Sequence, residues 1–213
     1  MTIELFVFPP SPRAFKVLVV ANHLEVPYDL KLLDLRKGEQ RSTQYAGLNP
    51  NMRMPTLKDG GYVVWESNAI LQYLALRRPE AGLLPLEERA RLDVTRWQFW
   101  DLAHWDPACA IYVFERLVKP ALLGIPEEDP AAIARGGEML HRAAAVLDAQ
   151  LAAHRYVAGE RLTLADFALA APLTAAAVAR FPLDAYTNIQ RWTIDMTGLP
   201  AWQKTLRQQD SAR

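Results

Sequence analysis

The sequence predicts a chain of two textures, an α/β N-terminal half in the order β-α-β-α-β-β-α and an all-α C-terminal half. Three observations carry this reading. Strand-like and helix-like periodicities alternate over residues 1–78, an Asp-Gly-Gly hairpin signal closes that alternation, and strand signals then nearly vanish. Residues 79–86, with two prolines and a glycine, read as the linker between a first domain at 1–78 and a helical domain at 87–213.

Within the first half, IELFVF at 3–8 is short and apolar, which suits a buried strand. Val17, Val20, Ala21 and Leu24 then recur at i, i+3, i+4 and i+7, one face of a helix. YDLKLLDL at 28–35 reads as a second strand, followed by the charged loop RKGEQR and a short helix near Thr43–Leu48. PTLKDGGYVVW at 55–65 reads as two short strands around a tight turn. SNAILQYLALRR closes the half as a helix with Ile70, Leu71 and Leu74 inward. The last two strands are antiparallel because a hairpin joins them, and the first two are parallel because a helix crosses between them.

The second half predicts a long Trp-rich helix over 87–119 that Pro107 kinks or breaks. Leu140, Ala144, Leu147 and Leu151 mark another helix, and Leu164–Arg180 a third. Thr163 with Asp166 three residues later forms a capping-box variant at the start of the third, with Leu162 placed to staple against Phe167. That pattern is folding information rather than chemistry.

Composition removes several classes of function. Twenty-four basic and twenty-four acidic residues cancel, so no broad field draws nucleic acid or anionic lipid. The most apolar stretch, LADFALAAPLTAAAVA, carries Asp166 and too few large side chains to span a membrane. MTIELF lacks the basic and small-residue pattern of a secretory signal. One cysteine, Cys109, excludes an internal disulfide framework and reads as a small buried hydrophobe, so a reducing cytoplasm is expected. His23, His141 and His154 have no ligand spacing, and His104 and Asp106 point to different faces of a helix; no metal is expected.

Three local features of the first half bear on binding. Ser11-Pro12 stands at a strand-to-helix turn, where serine is a favoured cap and proline a favoured first helical residue. Pro55 directly precedes a strand, which calls for an edge, a strand start or a cis bond. A cis bond would leave the Met54 backbone free for a peptide-like ligand, whereas an ordinary trans proline would only open the strand. Trp65-Glu66-Ser67-Asn68 begins a helix, where backbone N–H groups and a serine hydroxyl suit a carboxylate and Glu66 an ammonium. Each feature also reads as plain capping or strand punctuation.

Together with DLRKGEQ, LNPNMRMPTL and the late LTLADFALAAPL, these segments resemble the glutathione S-transferase superfamily over nearly the whole chain. The resemblance implies a thioredoxin-like domain joined to a helical domain, assembled as a homodimer in the cytoplasm and acting in detoxification. It implies a cis Met54–Pro55 bond, with Met54 pairing through its backbone with the cysteinyl unit of glutathione. Glu66 and Ser67 would hold the γ-glutamyl end, and Gln40, helped by Arg53, the glycyl end. Ser11 matches the serine that donates to the glutathione sulfur in theta- and delta-like members; the bacterial Nu class has threonine there.

The helical domain would supply the pocket for a small hydrophobic electrophile, with Trp105 and Tyr112 nominated from among Trp97, Trp100, Trp105 and Tyr112. Phe15 stands where members usually have arginine, and Met52 where they have histidine or glycine. The absence of cysteine near the first helix separates this chain from the beta and omega types. The activity implied is transfer of glutathione, as co-substrate and without metal, to an electrophilic carbon. The alternatives are glutathione-dependent disulfide reduction and non-catalytic binding by the same fold.

Overall fold

The structure, a computed structural model, describes residues 2–211 and divides into two compact units, one running to Leu84 and resuming at Leu199, the other spanning Pro85–Gly198. In the first unit the elements are β1 (Ile3–Val7), α1 (Pro12–His23), β2 (Tyr28–Leu32), α2 (Thr43–Leu48), β3 (Thr56–Asp59), β4 (Tyr62–Trp65) and α3 (Ser67–Leu76). The sheet order is β2-β1-β3-β4, with β1 parallel to β2 and antiparallel to β3, as the connections require. Leu5 and Val7 of β1 are wholly buried. The hairpin turns at Gly60, whose φ of 60° is the left-handed conformation that glycine adopts without a Cβ clash.

Helix α1 is buried along nine consecutive residues, Ala14–Asn22, so it is covered on every side rather than on one face. On one side lies α3, through Ile70, Leu71 and Leu74; on another lies α10 (Pro200–Ser211), the last helix of the chain. Phe15 meets Trp202 of α10 edge-on at 4.6 Å between ring centres. Asn22 donates to Thr205 Oγ1 at 2.9 Å and to Gln208 Oε1 at 2.7 Å. Although α10 follows the helical half in sequence, these contacts make it part of the first unit.

The helical unit contains α4 (Glu88–Trp100), α5 (Asp106–Val113), α6 (Lys119–Leu123), α7 (Pro130–Ala153), α8 (Leu164–Ala170) and α9 (Thr187–Thr197). The expected break at Pro107 takes the form of a π-turn over Asp101–Trp105, in which the Asp106 N–H reaches back five residues to the Asp101 carbonyl. The wider turn accommodates a residue that has no N–H to give, so α4 and α5 run on through helical dihedrals. A second π-turn covers Phe114–Val118. The helix expected over Leu164–Arg180 is shorter than predicted: α8 ends at Ala170 and a 3₁₀ segment, Ala171–Ala175, follows. Pro172 lacks the N–H that would continue the α ladder, and its ring crowds the preceding turn.

In α7 the buried residues Ala132, Gly136, Leu140, Ala143, Ala144, Leu147 and Leu151 form one continuous inner face. Gly136 is the point of closest approach to α5. A Cβ there would lie 2.9 Å from Ile111 Cγ2 and 3.2 Å from Ile111 Cβ. Overpacking of this kind costs about 1–3 kcal/mol, and alanine's better helix propensity offsets about 1 kcal/mol of it. Gly136→Ala therefore lowers the denaturant midpoint by the equivalent of about 1 kcal/mol. Gly137→Ala, whose Cβ would meet only the Tyr112 hydroxyl at 3.3 Å, keeps most of the propensity gain and raises the midpoint by the equivalent of up to about 1 kcal/mol.

The capping box is formed. Asp166 accepts from the Thr163 N–H at 2.8 Å, the Thr163 hydroxyl at 3.1 Å, the Val157 N–H at 2.8 Å and the Trp192 indole at 3.0 Å. Burial pushes its carboxyl up to about 6, and the four donors act to hold it down. The folded carboxyl thus keeps its proton to a higher pH than the unfolded one. Its contribution to stability is then fully present below the ordinary carboxylate range and falls as pH rises through about 6. The difference in melting temperature between the native chain and Asp166→Asn, followed from pH 4 to 7, is expected to shift against the native chain as pH increases.

Candidate functional site

Register brings the sequence-predicted segments together. Phe6 of β1 pairs with Thr56 of β3, and Thr56 pairs with Trp65 of β4; on the other side Val7 pairs with Leu32 of β2. Strands β1, β2 and β4 end, and β3 begins, at the same end of the sheet. Four segments therefore emerge there in spatial order: the loop to Gln40 after β2, the turn to Ser11 after β1, Arg53–Pro55 before β3, and Glu66–Ser67 after β4. At about 4.8 Å per strand interval the row is about 14 Å long.

Ser11 is the N-cap of α1, in extended backbone conformation with Pro12 at the first helical position. Its carbonyl accepts from the Phe15 N–H at 2.9 Å and its own N–H donates to the Phe8 carbonyl at 3.0 Å. The hydroxyl makes no capping bond, although serine is the residue suited to one. It is half-buried and lies at the positive end of the helix.

The Met54–Pro55 bond is cis. Around the residues before it lies a buried network that the sequence reading did not find. Tyr45, Asn49 and Thr56 are all at most 3% exposed. The Tyr45 hydroxyl donates to the Arg53 carbonyl at 2.7 Å, and Asn49 Nδ2 donates to the same carbonyl at 2.6 Å. Asn49 Nδ2 also donates to Thr56 Oγ1 at 3.2 Å, and the Tyr45 and Thr56 hydroxyls lie 2.8 Å apart. Tyr45 has one proton, which the Arg53 carbonyl takes, so Thr56 donates to Tyr45 and every donor in the network is used. Burial pushes the Tyr45 phenol above its ordinary value, which keeps it protonated. Among the described residues, neither the N–H nor the C=O of Met54 has a protein partner.

Glu66 caps α3 at φ 72° and ψ 115°, a conformation that non-glycine residues rarely hold. Ser67 and Asn68 follow, both buried. Behind them Lys16, which is 1% exposed in the middle of α1, donates to Asn68 Oδ1 at 3.2 Å. A lysine within an otherwise buried helical run was the signal in the sequence for this contact. Gln40 follows the left-handed Gly38 in a 3₁₀ turn, and its side-chain oxygen is shielded without a hydrogen-bond partner. Arg53 is exposed.

Family models for the glutathione S-transferase N-terminal and C-terminal domains match residues 1–76 and 130–194. Glutathione S-transferase 3 of Zea mays is 34% identical over 211 residues, covering 96% of this chain and 93% of its own length. Glutathione S-transferase 2 of Anopheles gambiae is 32% identical over 197 residues, covering 91% of this chain and 90% of its own. A solved glutathione S-transferase from Pseudomonas fluorescens superposes with a TM-score of 0.86 at 30% identity, covering 94% of this chain and 97% of its own. The chain belongs to the glutathione S-transferase family.

Two departures from the family pattern now have physical readings. Phe15 is an apolar contact, fully buried against Trp202, and the polar role along this helix falls to its neighbour Lys16. Met52 sits at φ 52°, where glycine is the least strained residue, and closes a turn by donating its N–H to the Asn49 carbonyl at 2.9 Å. In the helical unit Trp105 is wholly buried and its indole donates to the Leu169 carbonyl at 2.8 Å. Tyr112 is 4% exposed and tilts against Phe181. Both rings nominated for the electrophile pocket are thus placed in the helical core with little surface to offer a ligand. Cys109 is buried, and among the described residues no group of three or more acidic, histidine or cysteine side chains is placed to hold a metal. A groove of about 1020 Å³ between α1, β2 and α10 is lined by Asn22, Tyr28, Lys204 and Arg207, and by none of the residues in the row at the end of the sheet.

Proposed function

We propose that this glutathione transferase lays its co-substrate across the end of the four-stranded sheet, in the order in which the four segments stand. The glycyl end lies toward Gln40 and Arg53, the cysteinyl unit between Ser11 and the Met54–Pro55 backbone, and the γ-glutamyl end against Glu66 and Ser67. An extended tripeptide reaches about 10–11 Å, and side chains at either end close the remaining distance to the 14 Å row. The backbone N–H and C=O of Met54 pair with the cysteinyl unit as an added strand would. Ser67 and the first turn of α3 receive the γ-glutamyl carboxylate, and Glu66 its ammonium.

The observation that carries the mechanism is the uncommitted hydroxyl of Ser11 at the start of α1. In this reading it donates to the glutathione sulfur, and the helix terminus adds positive potential at the same point. Moving a thiol from a pKa of about 8.5 to about 6.5 takes about 2.7 kcal/mol of preferential thiolate stabilisation. One charge-assisted hydrogen bond and a helix terminus are of that size. The thiolate population then rises about twentyfold, while its nucleophilicity falls about eightfold on a Brønsted slope of 0.4–0.5. Ionisation alone therefore yields little, and holding the electrophile against the sulfur supplies the larger share. The sulfur attacks an electrophilic carbon, the carbon–sulfur bond forms as the leaving group departs, and the thiol proton goes to solvent.

Ser11→Ala is expected to raise the thiol pKa in the binary complex by about one to two units, leaving about four- to twentyfold less thiolate near neutral pH, the loss of one charge-assisted bond. Ultraviolet thiolate absorbance titrated with pH reads this directly. An unchanged titration removes Ser11 from the mechanism, and calorimetry showing no glutathione binding by the native chain removes the site.

Homodimeric assembly and cytoplasmic residence complete the proposal. The first unit exposes Tyr62, Trp65 and Leu76, and the second exposes Leu92 and Phe99, the last at 67%. Large apolar side chains at such exposure are the material of a subunit interface. Phe99→Glu is expected to shift sedimentation from dimer toward monomer, and an unaltered dimer would place the interface elsewhere.

A further inference from the structure

The Arg53–Met54 peptide is trans, the cis bond being the next one along. In a planar trans peptide the C=O and N–H point in opposite directions. The Arg53 carbonyl is held by two buried donors, Tyr45 Oη and Asn49 Nδ2, so the N–H of Met54 must point away from that buried network. Fixing the one group fixes the other.

We propose that Tyr45 is a positioning residue for glutathione: its hydroxyl, acting with Asn49 on the Arg53 carbonyl, aims the Met54 N–H at the cysteinyl unit. The inference rests on the reading of Met54 given above and goes beyond it, because Tyr45 touches no substrate and has no place in the chemistry. The ring of Tyr45 is buried beside Phe6 at 6.0 Å between centres, so packing alone would be served by phenylalanine. The hydroxyl is the part that packing does not explain. Its position in the network also accounts for the hydroxyl of Thr56, which donates to Tyr45 and leaves Tyr45's own proton for Arg53. The loop from Asn49 to Pro55 has little else to hold it. Asn51, Met52 and Arg53 are exposed, and the remaining ties of the turn run back to Asn49. Without the tyrosine donor the Arg53 carbonyl keeps only its bond from Asn49, the Arg53–Met54 plane tilts about that single tie, and the Met54 N–H samples directions useless to the ligand.

The test is Tyr45→Phe, which keeps the ring and removes the donor. Its KM and calorimetric Kd for glutathione are expected to rise about five- to tenfold, the loss of one oriented hydrogen bond. The kcat at saturating glutathione and the KM for a chlorodinitrobenzene should stay within about twofold of the native values. Amide resonances supply the readout that general loosening would not give. On adding glutathione to the native protein, the Met54 and Ser67 N–H signals both move; in Tyr45→Phe at saturating glutathione, the Met54 movement shrinks while that of Ser67 remains. Native affinity with an intact Met54 response overturns the role of Tyr45. So does a loss spread equally over Met54, Ser67 and the electrophile KM. If neither amide of the native protein responds to glutathione, the site reading itself falls and the proposal with it. Should Tyr45→Phe melt too low to assay, Asn49→Ser removes the other donor to the same carbonyl and retains an acceptor for Asn51; the same selective loss at Met54 is expected, and its absence overturns the proposal.

Discussion

The pairing of β1 with β3 is the constraint on which the site depends. Phe6 opposite Thr56, and Thr56 opposite Trp65, put the end of one strand, the start of the next and the end of the last in a single row. A slip of one residue would turn Leu5, Val7 and Leu57 from the core to the other face, so burial of these side chains holds the register. The same register that completes the core thereby brings the segments carrying Ser11, Met54 and Ser67 out at one end of the sheet. No separate device is needed to assemble the site.

What remains is orientation, and here buried polar groups do the holding. The Arg53 carbonyl is clamped from within, Asn68 is held by the buried Lys16, and Glu66 is held in a conformation it would not choose alone. Polar groups in the interior are costly unless matched, and around Arg53 each donor meets an acceptor. Ser11 differs from all of these: among the described residues, the residue suited to capping α1 makes no capping bond with its hydroxyl. The fold uses side chains to fix backbone groups, and the Ser11 hydroxyl is left available for the thiolate contact proposed above.

The helical unit shows another economy. Prolines that would end an α-helix are absorbed by a π-turn before Pro107, whereas Pro172 ends α8 and a 3₁₀ segment takes over. Gly136 allows α7 to approach α5 closely, and Asp166 gathers four donors at the head of α8. Within this interior Trp105 and Tyr112 are buried.

Local patterns were legible where one residue type answers one local demand. The alternation of strands and helices, the Asp-Gly-Gly turn, the Thr163–Asp166 box and the serine-proline helix start all depend on neighbours a few positions away, and a sequence displays these directly. The end of α8 was misjudged because apolar alanines continue past the proline that stops the ladder. The aromatic residues of the long helix could not be sorted, since core and pocket select the same rings. Tertiary structure alone decided that Phe15 is a packing residue, that α10 joins the first unit, and that Tyr45, Asn49 and Thr56 converge on one carbonyl. Those contacts join residues that periodicity does not relate, and only the closed fold, in which every buried polar group must find its partner, determines them.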